Sequence, residues 1–249
     1  MARLRPAHWA RWLAGGVVLL AVLIVGGTYL YIHVIEGPAP APLGLSSSAG
    51  ASRSATAGST GTAAAGSTAT TAGSAAVAGT WKVGSGSLVG YRVQEVLFGQ
   101  NNTAVGRTSS VTGSMTIQGA TVTAGSFTVQ MATIVSDQSQ RDVQFRGRIM
   151  DTSAYPTGTL RLTRPISLAP LPAIGQARSY PAAGDLTLHG HSRAVTFTVT
   201  AERTHSGIEV TGSIPILFAD WDIPNPSFGS VITTQNHGIL EFLLRFSQG

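Results

Sequence analysis

The sequence contains no cysteine, which excludes disulfide staples, thiolate zinc sites, cysteine nucleophiles and a lipid-modified N-terminal cysteine. A chain without thiols is compatible with an oxidising compartment. Charge is also scarce. Asp, Glu, Lys and Arg make up 11% of the residues, less than half of the roughly 25% usual in soluble globular domains, so one fold of ordinary composition does not account for all 249 residues. Nor is there a concentrated excess of one sign. The net +5 divides into +2 over residues 1–36, +1 from Arg53 over 37–78 and +2 over 79–249, where 12 basic and 10 acidic side chains are interspersed. That spread is not the clustered basic face that phosphate backbones demand, and no nucleic-acid partner is expected.

Residues 13–35, LAGGVVLLAVLIVGGTYLYIHVI, carry no formal charge. As a helix they would extend about 34 Å, enough for a hydrocarbon core of roughly 30 Å. Arg3, Arg5 and Arg11 precede the run and Glu36 follows it, so the positive-inside bias predicts a basic cytoplasmic segment over 1–12, a single transmembrane helix over 13–35 and everything later outside. Trp9, Trp12, Tyr29 and Tyr31 suit the two interfacial belts. A cleaved signal peptide is the rival reading, but its apolar region is usually about 7–15 residues long and ends in small residues. Both readings export the remainder, and the retained anchor predicts a cytoplasmic-membrane protein with its later domain on the outer face.

Residues 37–78 are low complexity: Ala, Gly, Ser, Thr and Pro supply 38 of the 42. With almost nothing large to bury, such a stretch is expected to be a disordered linker with a reach of about 35–40 Å. From Gly79 the texture changes to short runs of period-two alternation punctuated by Gly, Pro, Asn and Asp, which is strand grammar. In the last run, Leu240, Phe242, Leu244 and Phe246 fall on one face and Ile239, Glu241, Leu243 and Arg245 on the other. Eight strands are predicted, over 87–96, 108–118, 121–134, 158–168, 181–189, 193–204, 207–217 and 237–247, with one helical segment near Ser139–Met150. Hairpin-length spacings make an antiparallel meander, and closing it into an eight-stranded barrel removes both edges. A barrel of that size either packs solid or holds one small ligand.

Few residues suggest chemistry. His189 and His191, at i and i+2 around Gly190, could share a metal, yet no third ligand stands nearby and a polar hairpin turn explains them as well. No Gly-x-Ser-x-Gly elbow supports a triad. Asp220 and Asp222 flank Trp221 at a spacing that suits acid and base work, but the following Ile-Pro-Asn-Pro reads as a structured loop entry. The stretch Ser136-Asp137-Gln138-Ser139 offers helix caps, and Asp142 in the first turn complements the dipole. Arg141 is left to an ion pair with the barrel wall or to a ligand head group. No catalytic role, metal or cofactor is therefore assigned. The positions expected to line a pocket, or to fill a solid core, are Val89, Tyr91, Val93, Phe127, Val129, Met131, Phe145, Ile149, Leu160, Phe197, Phe218, Trp221, Leu240 and Phe242.

The order of these segments resembles the YceI family of polyisoprenoid-binding, lipocalin-like exported proteins. The residues that carry the resemblance begin with Gly79-Thr80-Trp81-Lys82-Val83, Ser87-Leu88-Val89-Gly90-Tyr91-Arg92-Val93, Val105-Gly106 and Val111-Thr112-Gly113. They continue through Ser136-Asp137, Arg141-Asp142, Tyr155-Pro156, Gly184-Asp185-Leu186-Thr187-Leu188-His189-Gly190, Arg193-Ala194-Val195-Thr196-Phe197 and Gly238-Ile239-Leu240-Glu241-Phe242. The resemblance covers 79–249 and neither the anchor nor the linker. It implies an eight-stranded antiparallel barrel with a helix near its mouth, an elongated apolar cavity for an isoprenoid or similar long-chain lipid, and often a homodimer. His191 departs from the family pattern, where an apolar residue commonly follows the His-Gly pair. The function expected is a membrane-tethered, non-enzymatic lipid-binding module. The alternatives are an envelope interaction domain with a solid barrel and a lipid-acting envelope enzyme.

Overall fold

The computed structural model describes residues 39–46, 77–97, 99–227 and 232–249, with residues 16, 17, 19, 20, 22, 26 and 27 as isolated helical positions. The predicted span over 13–35 thus falls largely outside the described residues, as do 47–76 of the predicted linker. Among the described residues, no helix is long and apolar enough to cross a membrane.

The domain is one antiparallel sheet. Its strands are β1 (Gly79–Val83), β2 (Leu88–Leu97), β3 (Gln100–Thr108), β4 (Val111–Gln118), β5 (Thr121–Gln130), β6 (Val135–Ser136), β7 (Thr157–Leu162), β8 (Ile166–Ser167), β9 (Ala177–Leu188), β10 (His191–Arg203), β11 (Ile208–Leu217), β12 (Ile232–Thr234) and β13 (His237–Gln248). Neighbours follow the order β1, β4, β5, β7, β9, β10, β11, β13, and β13 pairs back onto β1, which closes a ring of eight. β1 and β2 occupy successive stretches of the same edge of β13, Val83 opposite Phe246 and Leu88 opposite Leu243. The bend between them is fixed by the Gly84 N–H donating to the Arg245 carbonyl at 2.7 Å and by the Arg245 N–H donating to the Ser87 hydroxyl at 3.0 Å. β3 and β4 likewise follow each other along β2 and β1. Each pair therefore acts as one long bent stave, and the eight-stranded barrel predicted from the sequence is present with two staves longer than expected.

β3 escapes a hydrophobic pattern because Gln-Asn-Asn-Thr-Ala-Val-Gly-Arg-Thr hardly alternates; its pairing with β2 supplies the order, helped by Asn102 donating to Glu95 at 2.9 Å. β1 is short, with Trp81 buried and its indole N–H donating to the Val77 carbonyl at 2.8 Å. The predicted strand over 158–168 breaks into β7 and β8. A helix, α1 (Ser139–Gln144), continues into a wider turn over Phe145–Ile149, in the segment where one helical piece is predicted. The expected side-chain cap is absent: Gln138 stands at the N-cap without a side-chain bond. Instead buried Asp142 accepts from the Ser136 N–H at 2.8 Å and from its hydroxyl at 2.7 Å. Ser136 is held for this by pairing with Gly106.

One part of the predicted linker is not a free tether. Residues 39–46 lie along the outer wall of β3, β2, β13 and β11. Arg92 donates to the Pro40 carbonyl at 2.7 Å and Arg107 to the Ala41 carbonyl, while both guanidiniums also hold Glu241. The Thr211 hydroxyl donates to the Leu43 carbonyl at 3.0 Å. At the far end the Ser46 N–H and hydroxyl donate to Glu209 at 2.9 and 2.8 Å, and Arg245 donates to both Glu209 and the Ser46 hydroxyl at 3.0 Å. Leu45 is only 4% exposed, and Leu243, on the outward face of β13, is buried although neither belongs to the internal core. Two apolar side chains in a nearly featureless segment, together with carbonyls left free by Pro and Gly, suffice to dock it. We call these eight residues the strap.

Burial alone would raise the Glu209 carboxyl, but the hydrogen bonds from Ser46 and the neighbouring Arg245 outweigh it and hold the group below its ordinary value. A depressed carboxylate contributes to docking fully above about pH 4.3 and loses that contribution as pH falls through the lowered value. The Leu45 methyl resonances are therefore expected to keep their docked shifts at neutral pH, to move toward free-chain values below about pH 4, and to stand at free-chain values already at neutral pH in Glu209→Gln. Unchanged shifts in that variant would remove Glu209 from the account.

Candidate functional site

The barrel is hollow. A cavity of about 630 Å³ runs along its axis, within the roughly 300–1,000 Å³ typical of small-molecule pockets. Strand alternation produces it, because every second residue of each stave must point inward. β13 contributes Leu240, Phe242, Leu244 and Phe246, the face read from the sequence, and β10 contributes Phe197, Val199 and Ala201. In β5 the inward set changes parity between Val122 and Phe127, at a bulge where the pairing with β4 shifts after Thr116. Aromatic rings divide the interior: Phe197 meets Phe242 edge-on at 6.2 Å, and Phe127 meets Phe246 in the same way at 5.9 Å.

Thirteen of the fourteen positions singled out from the sequence line this one cavity: Val89, Tyr91 and Val93 on β2, Phe127 and Val129 on β5, Met131 just after it, Phe145 and Ile149 after α1, Leu160 on β7, Phe197 on β10, Phe218 after β11, and Leu240 and Phe242 on β13. Trp221 does not line it. Its indole N–H donates to the Leu186 carbonyl at 3.2 Å, and the side chain, only 2% exposed, is packed outside the cavity lining. The short helix Phe218–Trp221 sends Phe218 into the cavity and Trp221 onto the end of β9, so the two large aromatics of this turn have separate duties.

α1 and the turn after it partly cover one end, which we call the mouth. Phe145 stacks on Tyr91 at 5.2 Å with the rings 15° from parallel. The stack is possible because Tyr91 lies over Gly106 on the neighbouring strand, where a Cβ would meet the Tyr91 ring at 2.4 Å. Burial raises the Tyr91 hydroxyl well above its usual value, and the nearby Arg141 offsets this only in part. Exposed Gln140, Gln144 and Arg148 belong to the lining, so the cavity reaches solvent beside α1. The other end is lined by Leu171, Pro172, Tyr180 and Ile208.

The mouth is where polar groups meet the apolar tunnel. Arg141 pairs with Glu95 at 3.1 Å and with Asp137. Burial would lower its guanidinium, but these carboxylates outweigh it and hold the proton more firmly than usual. Two acidic partners thus neutralise the cation that the sequence offers for a head group. Arg148 is placed differently. It donates only to neutral acceptors, the Asn225 and Pro226 carbonyls at 3.4 and 3.1 Å and the Gln144 amide at 3.2 Å, and it has no ion pair among the described residues. Thr234, also in the lining, is 6% exposed and its hydroxyl has no hydrogen-bond partner among the described residues. A buried hydroxyl left unpaired at an apolar wall is available to an oxygen-bearing ligand. Neither residue stands out in the sequence, since an arginine seven places beyond Arg141 and one threonine among many carry no pattern.

The histidine pair is a hairpin turn. His189 and Gly190 adopt φ of 46° and 78°, joining Leu188 to His191 through the two-residue turn that demands positive φ at both positions. The His189 ring lies 4.5 Å from that of Tyr155 and its Nδ1 donates toward the Trp221 carbonyl at 3.3 Å, while His191 is exposed. Among the described residues, no three His, Cys, Asp or Glu side chains gather around a common point.

A family model described as the YceI-like domain matches residues 81–242. Among solved structures, a polyisoprenoid binding domain from Saccharophagus degradans, implicated in plant cell wall breakdown, aligns with a TM-score of 0.56 at 15% identity over 69% of this chain and 99% of its own. Burkholderia cenocepacia BcnA aligns with a TM-score of 0.48 at 20% identity, over 62% of this chain and 95% of its own. A Campylobacter jejuni YCEI protein gives 0.42 at 13% identity, over 56% and 83%. No curated protein matches the chain. The likeness to the first of these structures is one of fold.

Gly106 is where the mouth is most easily perturbed. Gly106→Ala must displace the Tyr91 ring and with it the Phe145 stack, an overpacking that costs about 1–3 kcal/mol. Chemical denaturation should report that loss, and limited proteolysis should cut faster between Asp137 and Met150. Unaltered proteolysis would mean that the stack does not secure α1.

Proposed function

The chain belongs to the YceI-like domain family, and from that premise we propose that it binds a polyisoprenoid or similar long-chain lipid in the barrel cavity and performs no catalysis. The observation that carries this reading is the shape and chemistry of the void. It is long, lined almost throughout by Val, Leu, Ile, Met and Phe, and polar only near its ends. Chain burial there would gain roughly 25 cal/mol per Å² of apolar surface removed from water. A tail would lie along Leu240, Phe242, Phe197 and Leu160, with an oxygenated head group beside Thr234 and Arg148.

The same proposal places the protein in the cytoplasmic membrane as a single-pass chain, with residues 1–12 inside, 13–35 spanning and the barrel outside. The support is the uncharged run of 23 residues with three arginines before it.

Two substitutions separate the tail from the head. Val199→Trp fills the cavity from β10 at the level of Tyr180, and native mass spectrometry of protein extracted from membranes should show lipid-bound species falling about tenfold, equivalent to 1.4 kcal/mol, while the far-ultraviolet spectrum is retained. Wild-type protein that carries no lipid would sink the reading. Thr234→Val keeps the shape and removes the unpaired hydroxyl; it should leave stability unchanged or slightly raised and weaken an alcohol-headed isoprenoid more than the corresponding hydrocarbon. Equal affinities would take Thr234 out of the site.

A further inference from the structure

The strap has a direction. From Ser46 beside Glu209 and Arg245 to Pro40 beside Arg92 it passes along β13 from the level of Arg245 to that of Ile239, the residue opposite Arg92. That is toward the mouth, because the N-terminal end of β13, the C-terminal end of β11 and the β2–β3 turn all lie at the end covered by α1. The predicted span ends at Ile35, and five residues to Pro40 reach at most about 18 Å. Residues 47–76 begin and end on the barrel, at Ser46 and at buried Val77, so they add nothing to the distance between span and domain.

The mouth also carries an apolar rim. Four of the large hydrophobic side chains most exposed on the domain are Val143 (60%), Val135 (56%), Leu217 (50%) and Ile239 (39%). Val143 is on α1, Val135 on β6 beside it, and Leu217 and Ile239 are on the outward faces of β11 and β13 near their mouth ends. Scattered single apolar residues are ordinary, but a set of four gathered at one end has the chemistry of a surface that rests on a lipid interface.

Resting on the anchor reading above, we infer that the strap holds the barrel mouth-down against the bilayer, with Val143, Val135, Leu217 and Ile239 at the lipid surface. The cavity then opens onto the membrane that supplies its ligand, and lipid enters without crossing bulk water. The long low-complexity segment is an appendage of the barrel and does not space it from the membrane.

The absence of cysteine makes the test direct. In the full chain, single substitutions Val143→Cys, Leu217→Cys and, at the opposite end, Ile174→Cys carry a fluorophore, and the protein is reconstituted in vesicles of phosphatidylcholine with a minority of phosphatidylglycerol and a nitroxide head-group quencher. The two mouth labels should be quenched several-fold more strongly than the label at position 174. A Gly/Ser insertion as long as residues 47–76, placed between Glu36 and Gly37, leaves the barrel untouched and should erase that difference. Protein that floats with vesicles but shows equal quenching at both ends overturns the orientation and leaves the anchor standing. A difference that survives the insertion overturns the role of the strap. Protein that does not float overturns the anchor reading, and the orientation with it.

Discussion

β13 pairs on both edges at once, and the rest of the molecule depends on that. One edge carries β11 for ten residues; the other is divided between β1 and β2. Unpaired strand edges expose donors and acceptors that recruit other chains, and closing the sheet on β13 leaves no such edge in the ring of eight. Closure also forces alternate residues inward along the full length of each stave, so the final twelve-residue strand has to be apolar on one side. On its other side β13 carries Glu241, Leu243 and Arg245, the groups that receive the strap. One strand thus closes the barrel, forms a wall of the cavity and seats the strap.

A barrel of eight strands sits at the boundary between a packed interior and a ligand-sized void. Here the void wins, with small residues such as Ala104 and Ala201 standing among the larger ones of the lining. An empty apolar space forfeits dispersion contacts for every atom that faces it. Cores under selection for stability alone close such spaces, so a cavity of this size points to a role beyond stability. Between its ends the lining is largely apolar, and burial of apolar surface is the interaction such a wall offers.

The barrel was legible from the sequence because inward alternation is strong in Leu240–Phe246, Phe197–Val199 and Val89–Val93, and because hairpin spacings leave an antiparallel meander few rivals. Of the large apolar residues beyond Gly79 singled out as a possible lining, thirteen face the cavity; Trp221 does not, and it lies outside the predicted strands, in a short 3-10 turn where no alternation assigns a face. β3 was missed because its order comes from β2, a partner that its own polar composition does not announce. The strap was hidden by its surroundings. Ala-Pro-Ala-Pro-Leu-Gly-Leu-Ser looks like the rest of the low-complexity segment, and only two leucines and a set of free carbonyls distinguish it. Thr234 is invisible to any pattern, because what sets it apart is a buried hydroxyl with no partner among the described residues, a property that exists only once the chain is folded.

The low charge content takes on a physical meaning in this arrangement. Glu241 is shared by Arg92 and Arg107, Glu95 and Asp137 by Arg141, and Glu209 by Arg245, so much of the domain's modest charge is drawn into pairs on the barrel wall. Their effect here is positional: with Glu241 and Glu209 neutralised, the wall can accept a strap whose own charge is nil, through carbonyls and one serine.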